Sequence, residues 1–322
     1  MKNRPETWDL RPASFKPLVL LLAVTLGLSA CDINDPDGFE RDYIVEAYLE
    51  ALQPLGQVRL SQSVPIDGVF DFDALSVGGA EVRMLLENED GSVETVYEFA
   101  PSPSERGIYR AVDASAVAQP RRTYRLEVNI PDGSALSAST IVPDTFTVVQ
   151  VNNINGVYAS NDQVSVDLTP SFYPGRQSYY IFTVESLQPT QDNLVPFIFA
   201  IIDDNGDGVL DEEDDFEPDD LLDIRIGNSP PLNEANYTVN PDGSLNVPLP
   251  WLAVAFYGPT TIAASALDDN LYDFIRSEAV QQGGSTLSPG EVPNILTRVD
   301  GGKGVFGSFA RVFQEGVLVR EN

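Results

Sequence analysis

The chain has 322 residues, with 19 Lys plus Arg against 49 Asp plus Glu, no His and a single Cys, for a net charge of −30. Without His, imidazole acid–base catalysis and His-ligated metal chemistry are excluded, and one Cys allows neither an internal disulfide nor a Cys-cluster zinc site. So anionic a chain repels nucleic acid and anionic lipid surfaces, and neither is an expected partner of the folded part.

At the N-terminus Lys2, Arg4, Arg11 and Lys16 precede an apolar run from Pro17 to Ala30. The run is too short to span a bilayer and suits the h-region of a secretory signal. Leu28-Ser-Ala-Cys31 resembles the bacterial lipobox, which implies cleavage before Cys31 and acylation of that residue; residues 1–30 are then a lipoprotein signal peptide. An ordinary secretory signal with a cysteine beyond the cut is the alternative. Acylation removes the last free thiol, and several acyl chains hold a protein at a membrane far more firmly than one. Residues 1–30 carry four basic and two acidic groups, so the remainder has 15 against 47, a net −32, with Lys303 its sole lysine. Such self-repulsion is screened in concentrated salt and reads as adaptation to a salty milieu. A dedicated acidic patch for a cationic partner would cluster the acids, which are spread along the chain with one exception. Residues 31–42 are polar and acidic, broken by Pro36 and Gly38, and read as a tether.

From Tyr43 the hydrophobic period is two. Residues 43–49, 57–62, 80–86, 93–99, 107–111, 123–128 and 135–142 all suit half-buried strands, and the Asp-Gly pairs at 90–91 and 132–133 suit tight hairpin turns. Seven strands in about 100 residues predict an immunoglobulin-like β-sandwich over 43–143, ended by Pro143. The second domain, 144–322, is expected to be β-rich, with strands over 146–151, 163–168, 178–184, 196–202, 244–248, 260–267 and 305–313. One helix is predicted there: Asp268 or Asp269 caps it, Leu271, Phe274, Ile275 and Ala279 share a face, and Gly283-Gly284 ends it. The expected fold class is therefore mainly all-β, two sandwich-like domains, the second with one packed helix.

Asp203 to Asp214 has the spacing of an EF-hand-like calcium loop. Ca²⁺ takes six to eight oxygens, and such a loop offers side chains at positions 1, 3, 5, 9 and 12, a carbonyl at 7 and Gly at 6. Here these are Asp203, Asn205, Asp207, Asp211 and Asp214, the Val209 carbonyl, and Gly208, with apolar Leu210 at position 8. The pattern resembles the loops of dockerins and other bacterial EF-hand-like modules, and it predicts a structural calcium ion. Two features depart from it: the preceding residues read as a strand, and Asp214 is one methylene shorter than the usual Glu, which leaves Ca²⁺ against Mg²⁺ open. An acidic turn in an acidic protein is the alternative. Residues 203–223 hold twelve carboxylates and no Lys or Arg, a density that gathers ions.

Gly301-Gly-Lys-Gly-Val-Phe-Gly307 lacks the spacing of a phosphate loop and leads into a strand, so a tight turn with close backbone packing is expected. Tyr179, Tyr180, Trp251, Phe256 and Tyr257 read as core or cross-strand aromatics.

From Cys31 onward the ordered fragments DYIVEAYL, VRLSQSVP, GAEVRM, YRLEV, SASTIVP, LDDNLYDFI and GGKGVFGSF resemble the Bacteroidota lipoproteins grouped as domain of unknown function family 4249. The resemblance implies an outer-membrane lipoprotein, often encoded beside a TonB-dependent transporter, with no established catalytic activity. The calcium loop is not assigned by it. The expected function is a non-catalytic accessory or ligand-binding subunit of a TonB-dependent receptor, anchored through Cys31. A carboxylate-based glycan-processing enzyme, which needs only two acids at a set separation, and a passive surface or adhesion protein are the alternatives.

Overall fold

Alternation of apolar and polar residues produces the strands where the sequence places them. In a computed structural model, which describes residues 39–321 apart from 66–67, 162, 204, 211–215, 218 and 283–294, the first half contains β1 (Tyr43–Glu50), β2 (Val58–Gln62), a short helix α1 (Phe72–Leu75), β3 (Glu81–Glu87), β4 (Val93–Pro101), β5 (Ile108–Ala111), β6 (Thr123–Asn129) and β7 (Ala135–Ile141). The expected signal peptide, Cys31 and most of the expected tether lie outside the described residues. Along β1 the period of two puts Val45, Ala47 and Leu49 in the core, and β6 does the same with Tyr124, Leu126 and Val128.

The second half adds β8 (Val148–Asn152), β9 (Ser165–Leu168), β10 (Tyr179–Ser186), α2 (Pro196–Ile202), α3 (Asp220–Asp223), β11 (Ile226–Asn228), β12 (Leu232–Asn233), β13 (Thr238–Val239), β14 (Leu245–Pro248), β15 (Gly258–Leu267), α4 (Asp269–Gln282) and β16 (Lys303–Val319). The molecule is mainly β and sandwich-like. Among the described residues twelve strands form one sheet in the order β11-β10-β15-β16-β1-β2-β5-β4-β3-β6-β7, with β12 on β10, and four form a second, β13-β14-β9-β8. Val166, Leu168, Leu245 and Val247 of the small sheet share a core with Tyr180, Phe182, Ala264 and Ala266 of the large one.

Segments on either side of Pro143 hydrogen-bond to one another. β16 pairs in parallel with β1, from Ile44 opposite Lys303 to Glu50 opposite Phe309, and Ser137 of β7 exchanges backbone bonds of 3.0 and 2.8 Å with Asp300. Accordingly Asp42–Ser63 and Phe70–Asn322 are one compact unit, through which the expected boundary at 143/144 runs. Met1–Arg41 with Val64–Val69 cluster separately, and few of those residues are described.

The glycine turn behaves as its sequence predicts. A Cβ on Gly304, at φ +108°, would lie 2.0 Å from the Val45 carbonyl oxygen, and one on Gly307 would lie 2.4 Å from Leu271 Cγ. Only glycine lets β16 run this close to β1 and α4.

The expected strand over 196–202 is a helix instead. Pro-Phe-Ile-Phe-Ala-Ile-Ile is a short apolar run that suits either structure by periodicity. Pro196 in the first turn supplies a preset φ where no N–H is needed, and the helix lets Ile198, Phe199 and Ile202 pack together against Leu194, Leu210, Phe216, Leu221 and Phe256.

Candidate functional site

The acidic loop starts where α2 stops, at Asp203, whose own N–H still donates to Phe199 O at 2.9 Å. Its carboxylate turns back on the chain: Oδ1 accepts from Gly206 N at 2.9 Å and Oδ2 from Gly208 N at 3.0 Å. Asn205 Oδ1 accepts from Asp207 N, and Asp207 Oδ1 from Val209 N, both at 2.8 Å. Gly206 and Gly208 take φ of +75° and +84°, which glycine tolerates without strain. Leu210 is buried with Phe216, Leu221 and Phe256, so the apolar position of the motif pins the loop to the core. A helix thus enters the loop, and the first of the two departures noted from sequence disappears. Of the predicted ligands, Asp203, Asn205, Asp207 and Val209 are brought into one turn, while Asp211 and Asp214 lie outside the described residues. Among the described residues no group of three or more Asp, Glu, His or Cys stands in metal-holding proximity.

A second constellation is buried, and sequence reasoning saw only its capping role. Asp268 precedes α4, and its Oδ1 accepts from Leu271 N at 2.8 Å. Its Oδ2 accepts from Thr140 Oγ1 at 2.5 Å; Thr140 lies 2.6 Å from Ser308 Oγ, which reaches Ile141 O at 3.0 Å. Asn270 Nδ2 donates to Ser139 O at 2.7 Å and Phe306 O at 2.6 Å, clamping β7 to β16. Burial raises Asp268 to a pKa of about 6 from an ordinary 3.8, against the hydrogen bonds from Thr140 and the Leu271 N–H, which lower it.

The flanking residues of the same segment also hold structure. Asp269 binds Arg176 Nε at 2.6 Å, and that guanidinium lies 4.0 Å from the Tyr173 ring centroid. Tyr272 stacks on Tyr179 at 3.9 Å, and Asp273 pairs with Arg298. The LDDNLYDFI and GGKGVFGSF segments are therefore two halves of one staple, α4 against β16, with β7 caught between.

The predicted aromatics are occupied in the same manner. Tyr180 and Phe256 are buried, and Trp251 and Tyr257 meet Tyr158 edge-on at 5.2 and 5.8 Å. An open groove of about 370 Å³ on the outer face of β3, β6 and β7 is lined by Arg83, Arg125, Glu127, Asn129, Ser137 and Asp300 among others. Its arginines are paired: Arg83 with Glu127 at 2.9 Å, and Arg125 with Glu127 at 2.5 Å and Glu87 at 2.7 Å. Alternating Arg and Glu along β3 and β6 was the signal for this ladder, and part-exposed pairs of that kind contribute about 0–1 kcal/mol each.

Comparison with known proteins gives one strong result. No curated protein matches the chain. Among solved structures, Salmonella alpha-2-macroglobulin reacted with methylamine is similar at 12% identity and a TM-score of 0.21, over 86% of this chain and 15% of that one. A tetra-tandem repeat from the extending region of a large adhesion protein is similar at 12% identity and a TM-score of 0.19, over 86% of this chain and 49% of that one. Likenesses so weak, spanning 15% and 49% of longer chains, bear on neither activity nor partner. The model of a family described as a domain of unknown function, DUF4249, matches residues 31–314. By that match across most of its length, and by the ordered motifs whose packing is described above, the chain belongs to the DUF4249 family.

Proposed function

We propose that the protein is a Bacteroidota outer-membrane lipoprotein, acylated at Cys31, that serves as a non-catalytic accessory or ligand-binding subunit of a TonB-dependent transporter. The observation that carries the anchored half of this reading is the coincidence of two boundaries. The family match begins at Cys31, the residue that closes the lipobox-like Leu28-Ser-Ala-Cys31, and the first strand begins at Tyr43, leaving residues 32–42 as a tether. The non-catalytic half is supported by how the most recognisable acids are used. Asp268 has both oxygens committed to structural partners, and Asp269 and Asp273 are paired with Arg176 and Arg298. The transporter as partner comes from the family resemblance.

The loop 203–214 is proposed to hold one structural calcium ion through Asp203, Asn205, Asp207, Val209, Asp211 and Asp214. The turn built by Asp203, Asn205 and Asp207, entered from a helix and pinned by Leu210, supports that assignment.

Crosslinking in native outer membranes followed by pull-down tests the function. The expected result is recovery of a TonB-dependent receptor, weakened by Cys31→Ser, because anchoring raises the local concentration of both partners. Recovery of no transporter, together with polysaccharide hydrolysis that depends on one Asp or Glu, would replace this reading with the glycan-processing one.

A further inference from the structure

Helix α2, Pro196–Ile202, contains no polar side chain. A helix that is apolar all round is normally buried all round, yet this one is packed on one side only. Ile198, Phe199 and Ile202 lie on the cluster of Leu194, Leu210, Phe216, Leu221 and Phe256. Phe197, Ala200 and Ile201, spaced i, i+3 and i+4, share the opposite face and are turned to solvent, with Phe197 at 49% and Ile201 at 61% exposure. Helix formation does not call for them, since Glu, Gln or Lys at the same positions propagates a helix better than Phe or Ile.

The surrounding acids are the one exception to the even spread of charge along the chain. From Gln177 to Ile224 there is no Lys or Arg. Asp192 stands in the turn before α2, Asp203 ends the helix, and Asp207 follows it. Glu217, Asp219, Asp220 and Asp223 belong to α3 and its approach, and α3 lies on the cluster beneath α2 through Leu221. Among the described residues none of these seven carboxylates is paired with Lys or Arg. Asp203, Asp207 and Asp220 accept from backbone N–H groups. A calcium ion in the loop 203–214 would leave Asp192 and the four acids of 217–223 unneutralised.

We infer that the outer face of α2 is the docking site for a basic, amphipathic segment of a partner protein. Its apolar side chains cover Phe197, Ala200 and Ile201 while its Lys or Arg side chains meet the acids. An apolar anchor inside a charged rim divides the work of binding: burial of the anchor supplies affinity, and the rim supplies approach rate and choice of partner. Charge decides among the occupants. A second copy of this chain would bring the same acids against these across a two-fold contact, and an anionic lipid surface would be repelled. A cationic partner is drawn in, and that attraction weakens as salt screens it. The inference requires neither the lipid anchor nor the transporter, so its failure and theirs are separable.

Fluorescence anisotropy of a labelled amphipathic peptide of Leu and Lys, titrated with the full protein at fixed salt and calcium, tests it, with a Leu and Glu counterpart as control. The Lys peptide should bind and the Glu peptide should not. Phe197→Ser with Ile201→Ser should weaken binding about tenfold or more, whereas Phe313→Ser, at a similarly exposed apolar position of β16, should leave it within about twofold. Ala200→Gln, which obstructs the face with a good helix former and removes no packed group, should weaken it likewise and covers poor folding of the double variant. Equal binding by the parent, the double variant and Ala200→Gln would mean attraction by net charge alone and overturn the inference. Dimerisation of the parent in sedimentation that Ala200→Gln abolishes assigns the face to a second copy. Binding of the parent to phosphatidylcholine vesicles that Ala200→Gln abolishes assigns it to lipid, and either result overturns the inference as well.

Discussion

Replacing Asp268 with Asn should stabilise the protein at pH 8 and leave it unchanged near pH 4. Burial holds the folded-state carboxyl at a pKa of about 6 against an ordinary 3.8. The folded state therefore binds the proton more tightly than the unfolded one between those values. Stability from this group is complete below about pH 4, falls as pH rises through the window and levels off above about pH 6. At about 1.4 kcal/mol per unit, the shift corresponds to about 3 kcal/mol lost at neutral pH. In the ionised state Asp268 Oδ2 accepts from Thr140 Oγ1; once protonated, Asp268 can instead donate to Thr140, which frees Thr140 to donate to Ser308 while Ser308 donates to Ile141 O, so that each hydroxyl has one acceptor. Asn reproduces this relay at every pH, with Nδ2 donating to Thr140 and Oδ1 still capping Leu271 N. Differential scanning calorimetry of parent and variant across pH 4 to 8 should show a gap that opens through the window to about 6 °C, at roughly 2 °C per kcal/mol for a chain of this size. Asp268→Ala, which loses both the cap and the Thr140 partner, should cost about 2 kcal/mol near pH 4, and that cost should vanish by pH 8, where the parent has lost the contribution of its own carboxyl. An Asn variant less stable than the parent at pH 8, or a gap independent of pH, would refute the reasoning.

Gly304→Ala should cost roughly 4 kcal/mol or more and abolish folding at moderate temperature, since its Cβ would sit 2.0 Å from Val45 O at φ +108°. Gly243→Ala, at φ +86° with nothing within 4 Å, should cost only about 1–2 kcal/mol, and urea titration separates the two. Calcium at a hundred times its Kd should stabilise the parent by about 2.7 kcal/mol, and Asp207→Ala should lose that gain, read as melting temperature at constant ionic strength. An unmoved melting temperature would leave 203–214 as an acidic turn. Molar NaCl should stabilise even Asp207→Ala, because a Debye length of about 3 Å screens the general repulsion of the chain; destabilisation would contradict the salty-milieu reading.

The seven strands of the first half were legible because most of them, β1, β6 and β7 above all, have one face in the core and one toward solvent, which writes a period of two into the residues. The helix at 269–282 was legible for the equivalent reason, with Asp268 as its cap. At 196–202 every residue is apolar, so the pattern carried no period to read; Pro196 at the start and Asp203 at the end were the usable signs of a helix. The partners of the strands were not legible. Pro143 stops β7, which is a local event, whereas the pairing of β1 with β16 joins residues some 260 apart and leaves no mark in either neighbourhood except the glycines at 304 and 307. The acidic loop was read from ligand spacing alone, and its backbone turn followed; the burial of Asp268 had no sequence sign beyond an acid flanked by core residues.

The parallel pairing of β1 with β16 also sets the order in which this protein can form. The first strand to be made must wait for residues 303–309, near the end of the chain, before its second edge is covered. Closing so long a loop is entropically slow, and the exposed edge of β1 invites pairing with other chains meanwhile. Truncation anywhere before Lys303 should therefore yield not a shortened fold but an aggregation-prone intermediate, and synthesis through β16 becomes a precondition for any stable structure.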